Sequence, residues 1–299
     1  MTVNPGNILK IAWIMPPRDF WRRTRLKLKR TFAAGSVTVR DRFDADPDAR
    51  DWRRHFATLS RIETAASHRL PGWAPFAPEG RTVLEIGCGM TGGTGPLMLF
   101  RGAAKAYGIE PNWDASVLTD AHFVETYYRP LWQHLSAIYG ERLAFDAFMA
   151  RLRADLVISA DTDVARLADA IAPGTLDFCL SISCLEHVAG LDGTIRGLAA
   201  LGGPGTRHVH LVDFGNHWSK DAPFAGLYDT ERSRAVKANA PGINALRLPD
   251  VLKTFADHGL AARPLVFERR ALDPAAVHPS WQDAYALDDL GVRVAVVFV

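Results

Sequence analysis

The chain has 299 residues, of which 48% are hydrophobic and 23% charged, and a formal net charge of +2. That length suits one large domain or two small ones, and the hydrophobic content is that of an ordinary globular core. So even a charge balance gives no argument for a nucleic-acid partner, the three cysteines give no disulfide framework, and no run of about 20 apolar residues marks a membrane span.

Residues 1–70 read as an N-terminal extension, partly basic and helical, ahead of a domain at 71–299. The apolar run Ile8–Met15 is short and precedes the basic residues, the reverse of a secretory signal, so a cytoplasmic protein is expected. Pro16-Pro17 ends any early helix. Arg18, Arg22, Arg23, Arg25, Lys27, Lys29 and Arg30 then crowd one short stretch around Trp21, Leu26 and Leu28. This segment, 18–30, suits a solvated basic helix packed on the core by its apolar residues. It also suits an amphipathic helix resting on anionic lipid, or a basic arm for nucleic acid. Asp44–Asp51 is expected to be an acidic linker. Trp52–His68 has helical spacing, with Phe56, Leu59 and Ile62 in one stripe.

From Arg81 onward strands alternate with helices, which predicts a doubly wound α/β fold. Strands are expected at 82–86, 105–109, 154–159, 177–182 and 207–213, with a closing antiparallel pair at 264–268 and 293–299. Two segments exceed what such a sheet needs. Residues 112–153 carry Trp113, Phe123, Tyr127, Tyr128, Trp132, Tyr139, Phe145 and Phe148. They read as a helical insertion that walls an acceptor site or packs against the sheet. Residues 214–246 form a second insertion that could close the site from the other side.

Three strand tips carry the chemistry. Val83-Leu-Glu-Ile-Gly-Cys-Gly89 is an apolar strand with one acid, Glu85, opening into a glycine turn; Gly87, Gly89 and Gly92 have G-x-G-x-x-G spacing. Lys105-Ala-Tyr-Gly-Ile-Glu110 ends in an acid near the ~20-residue distance expected for a ribose-binding carboxylate. Leu176-Asp-Phe-Cys-Leu-Ser-Ile-Ser-Cys-Leu-Glu-His-Val188 is a third strand with an acid and a histidine after its tip. Together they resemble the motifs of class I (Rossmann-like) S-adenosylmethionine (SAM)-dependent methyltransferases. The resemblance implies a seven-stranded, mostly parallel sheet and S-adenosyl-L-methionine as cofactor. In its terms Glu85 organises the loop, while Gly87, Cys88, Gly89 and Gly92 cradle the cofactor. Glu110 meets the ribose, Asp161 and Thr162 the adenine, and Ser183 lines the site. His187 stands near the transferred methyl. Ser181 and Ser183 replace the Asn/Asp-Pro-Pro-Tyr signature of enzymes that methylate amines of DNA bases, which argues against that substrate.

An oxygen acceptor needs a base, because a hydroxyl ionises far above neutrality. In Thr206-Arg-His-Val-His-Leu-Val-Asp-Phe-Gly-Asn-His217, His208 and His210 share one strand face, and Asp213 and His217 lie at the strand end and in the loop beyond. Asp213 and His217 are the leading catalytic pair, with loop capping and packing as the alternative roles. His210 reads as a core residue. Asp213 and His217 with Glu186 or Asp161 could also form a metal site. No tight ligand spacing is present, and no metal is expected. The stretches 210–217, 223–228 and 244–248 are also similar to bacterial methyltransferase-domain proteins, many of which accompany surface-polysaccharide assembly. The expectation is a methyltransferase acting on oxygen in a small molecule or glycan. A non-catalytic SAM-binding scaffold, a nicotinamide-dependent oxidoreductase and a nucleic-acid methyltransferase are its rivals.

Overall fold

In the computed structural model, the described residues are 38–161, 164–217, 219, 221–233 and 243–299. The basic stretch 18–30, Thr162 and, within the second insertion, residues 218, 220 and 234–242 lie outside them. The centre is a seven-stranded sheet of β1 (Thr82–Ile86), β2 (Lys105–Ile109), β3 (Leu156–Ser159), β4 (Leu176–Ile182), β5 (Gly202–Asp213), β6 (Arg263–Arg269) and β7 (Val292–Phe298). Their order is β3-β2-β1-β4-β5-β7-β6. The first five strands run parallel, and β7 lies antiparallel between β5 and β6. Burial on both faces is why β1 and β4 read as apolar runs rather than as alternating strands. Chain order reverses beside β1, so the tips of β1, β2 and β4 meet at the switch point where such sheets bind ligands.

Helices cover both faces. On one lie α1 (Val39–Ala45), α2 (Arg53–Arg69), α3 (Gly95–Phe100), α4 (Arg129–Tyr139) and α5 (Phe145–Asp155). α3 is buried at every position, as a helix between the sheet and an outer layer must be. On the other face, α6 (Leu191–Leu201) presents Leu191, Ile195 and Leu198, and α7 (Leu248–Asp257) presents Leu248, Val251 and Phe255. Among the described residues no helix is long and apolar enough to cross a membrane.

Three boundaries differ from expectation by two residues or more. Asp44–Asp51 is largely helical rather than a linker: α1 runs through Ala45, and the Asp46 carboxylate caps a short turn at Pro47–Arg50 by accepting from the Asp48 N–H. α5 continues through Asp155, so β3 begins at Leu156. β5 starts earlier, at Gly202, with an irregular register against β4.

The aromatic segment 112–153 packs inward. Phe123, Tyr127, Tyr128 and Phe148 are fully buried, and Phe123 lies 4.7 Å (ring centroids) from Phe43 of α1. It thereby ties residues 39–69 to the sheet in one continuous core. One member also touches the site: the Tyr128 hydroxyl donates to the Thr91 carbonyl at 3.2 Å. Of the second insertion, Leu227, Tyr228, Ile243 and Ala245 form a separate cluster with Val277, Trp281, Tyr285 and Leu290.

Candidate functional site

After β1 the backbone enters a turn that only glycine adopts without strain: Gly87, Gly89, Gly92 and Gly93 all have positive φ. Three of these positions are also closed to a side chain, Gly92 by Leu156 Cδ2 at 2.9 Å. A Cβ on Gly87 would stand 2.8 Å from the Cys184 Cβ, and one on Gly93 would stand 2.7 Å from the Glu85 Cδ. The turn is held from beneath and from the side by carboxylates. Glu85, 2% exposed, accepts from both the Thr94 N–H and the Thr94 hydroxyl at 2.6 Å on Oε2, while Oε1 has no partner. Burial pushes its carboxyl up to about 7, against the two Thr94 bonds that lower it. Glu110 accepts from the Gly89 N–H at 3.1 Å on one oxygen, and from the Asn112 N–H and side-chain amide on the other. A carboxylate has about four acceptor sites, so Glu110 keeps room for a ligand hydroxyl. The exposed Asn112 amide can yield another.

The remaining cofactor candidates line the same edge with different emphasis. Cys88 turns its thiol into the core beside Gly108, leaving only backbone to face the turn. Ser183 follows β4 in a left-handed conformation, φ 50°, and its N–H donates to the Leu211 carbonyl. Asp161 follows β3 with its carboxylate 2.7 Å from the Arg166 guanidinium.

Of the catalytic candidates, His187 and His217 lie together, while the Asp213 carboxylate makes other contacts. The Asp213 N–H donates to Glu186 Oε1 at 3.4 Å. The Asp213 Oδ1 accepts from the Gly215 N–H at 2.9 Å, and its Oδ2 pairs with Arg293, which also holds Glu268. That is the loop-capping role. The carboxylate near His217 is Glu186, with 3.8 Å between His217 Nε2 and Glu186 Oε1. The rings of His187 and His217 lie 5.0 Å apart. Glu186, His187 and His217 thus form one cluster, their donor atoms all within 4.8 Å of one another. Glu186 is 2% exposed, its Oε2 has no partner, and burial raises its carboxyl to about 8. His210 is a core residue, its Nδ1 2.9 Å from the Ser181 hydroxyl.

Several residues that hold these carboxylates and turns carried no assigned role in the sequence, although Asn244 and Arg247 lie in the stretch 244–248 singled out there. Asn244 donates from its side-chain amide to the Leu185 and Val188 carbonyls, and from its N–H to the Glu186 carbonyl. Arg247, 1% exposed, donates to the Phe214 carbonyl and the Tyr228 hydroxyl. Thr94 and Arg293 fix the two carboxylates already described. An arginine inside an apolar helix start is a readable anomaly, since buried charge needs partners; the others carry no local signal.

The doubly wound seven-stranded sheet, with its reversed β7 and the glycine turn after β1, is the class I methyltransferase fold. No family model matches the chain, and no curated protein matches it. Among solved structures it is similar to a geranyl diphosphate methyltransferase in complex with SAM, at 15% identity over 85% of this chain and 90% of that one, with a TM-score of 0.41. It is similar to a methyltransferase in complex with the Haloferax volcanii Trm112 activator, at 16% identity over 87% and 96%, TM-score 0.41. It is also similar to Haemonchus contortus phosphoethanolamine N-methyltransferase 2, at 13% identity over 83% and 52%, TM-score 0.43.

Proposed function

We propose that this chain is a SAM-dependent methyltransferase of the cytoplasm that methylates an oxygen of a small molecule or glycan. One observation carries the reading. The positive-φ glycine turn after β1 is fixed between a buried carboxyl, Glu85, and a second acid, Glu110, at the tip of the next strand. The donor set fits SAM. Gly89, where a Cβ would meet nothing within 4 Å, leaves backbone open to the cofactor between Gly87 and Gly92, Glu110 retains acceptor capacity for ribose, and Asp161 and Ser183 stand at neighbouring strand tips.

When bound, SAM supplies a methyl group already activated by its sulfonium. The protein's task is then positioning, with activation of the acceptor hydroxyl. Glu186, His187 and His217, at the tips of β4 and β5, are the groups that would meet that hydroxyl. Asp213 orders the loop that carries His217.

Isothermal titration of the purified protein with SAM, its demethylated product and NAD tests the reading. Micromolar binding of the first two and none of NAD is expected. NAD binding would favour the oxidoreductase, and binding of none of the three would leave a scaffold.

A further inference from the structure

Among the described residues, two groups of potential metal ligands are compact enough for one ion: Cys179, His208 and His210, and Glu186, His187 and His217. The first is sealed inside the protein. All three residues are buried, and Phe255 packs against both imidazoles at 6.5 and 5.3 Å. The second lies at the carboxyl edge of the sheet. His187 is exposed there and His217 half-buried, so the cluster opens to solvent.

Three features of the open cluster point to a cation. Its donors are one carboxylate and two imidazoles, a set that binds first-row divalent ions while leaving positions for other ligands. The carboxyl oxygen Oε2 of Glu186 is buried without a partner, an arrangement that a proton or a cation must compensate. The other Glu186 oxygen, Oε1, stands 3.8 Å from His217 Nε2, so carboxylate and imidazole face one space. The geometry is also held in place: Asn244 clasps the Leu185–Val188 turn, and His217 sits at φ 54°, where a non-glycine residue is strained.

We propose that Glu186, His187 and His217 form a divalent-cation site, and that the cation holds the acceptor's oxygen. The second half rests on the methyltransferase reading; the first does not. A hydroxyl on such an ion ionises much closer to neutrality than a free one. Its proton passes to solvent, and no separate protein base is required. Open coordination positions favour an acceptor with two neighbouring oxygens, such as a vicinal diol or a hydroxyl beside a carboxylate or phosphate.

The test is a Mn2+ titration, by calorimetry and electron paramagnetic resonance, of the chelator-treated full chain. The same titration is run on Glu186→Gln and His217→Asn, with thermal melts to verify folding. One equivalent of Mn2+ is expected in the parent protein. Each variant should bind at least about tenfold more weakly, the scale on which even outer-sphere partners of a metal act. If Glu186→Gln does not fold, His187→Asn at its exposed position makes the comparison. No stoichiometric Mn2+ in the parent, or equal affinity in the folded variants, overturns the site. SAM binding without Mn2+ binding removes the cation and leaves the methyltransferase. Mn2+ binding without SAM binding does the reverse.

Discussion

Glu85 loses more by being charged than its two Thr94 bonds return, so its carboxyl rises from the ordinary 4.5 to about 7. The folded protein therefore holds a proton that the unfolded chain has already released. The stability tied to neutral Glu85 is complete below about pH 4.5 and declines as pH rises to about 7. Without a cation, burial of Glu186 acts in the same direction up to about 8. Urea unfolding at stepped pH should accordingly show a shallower decline in Glu85→Gln than in the parent, and an unchanged decline would count against a buried, protonated Glu85. At the neighbouring tip, Glu110→Ala should weaken SAM binding by about 1–3 kcal/mol, the cost of unpaired hydroxyls and of a released Gly89 N–H. Calorimetry that finds equal affinity would place the ribose elsewhere. Both acids were legible as strand-tip residues beside glycine. The partner of His217 was not. Asp213 is nearer in sequence, but its carboxylate is drawn away by Arg293, which reaches it from β7. No local pattern announces a contact between strands so far apart in the chain.

Among the elements, the glycine turn and the clasp around the β4 tip have different tolerances. Gly93→Ala combines a left-handed backbone, φ 59°, with a Cβ that meets the buried Glu85 carboxyl. A loss of at least about 1–2 kcal/mol is expected from the backbone alone, read by chemical denaturation and accompanied by weaker SAM binding. Asn244→Ala leaves the Leu185 and Val188 carbonyls without its amide, so unfolding should cost about 1–3 kcal/mol less. A neutral result would mean that water replaces the clasp. The strands themselves were readable because apolar runs between glycine and proline breaks have few alternatives. The acidic stretch at 44–51 misled because aspartate is both a linker residue and a helix cap. Only the Asp46–Asp48 geometry shows it capping.

At the level of the whole molecule, a ligand that binds only the folded state must stabilise all of it. SAM at a hundred times its dissociation constant should add about 2.7 kcal/mol, visible as a raised melting temperature that NAD does not reproduce. A melting curve indifferent to SAM would sink the cofactor assignment. The doubly wound class was legible from strand–helix alternation. The way residues 39–69 and the aromatic insertion join one core was not, since it depends on contacts such as Phe43 with Phe123.

The placement of β7 sets the order in which this protein can be completed. β5 emerges from the ribosome well before Val292–Phe298, the strand that lies against it, and among the described residues β6 has no neighbour in the sheet other than that same strand. Until then β5 presents a row of unpaired backbone groups, an invitation to pairing with a second nascent chain. The parallel half with its glycine turn can assemble early, while closure of the sheet waits for β7. Co-translational handling by chaperones should therefore matter most over that interval, and lesions in β7 should show as aggregation during synthesis before they show as lost activity.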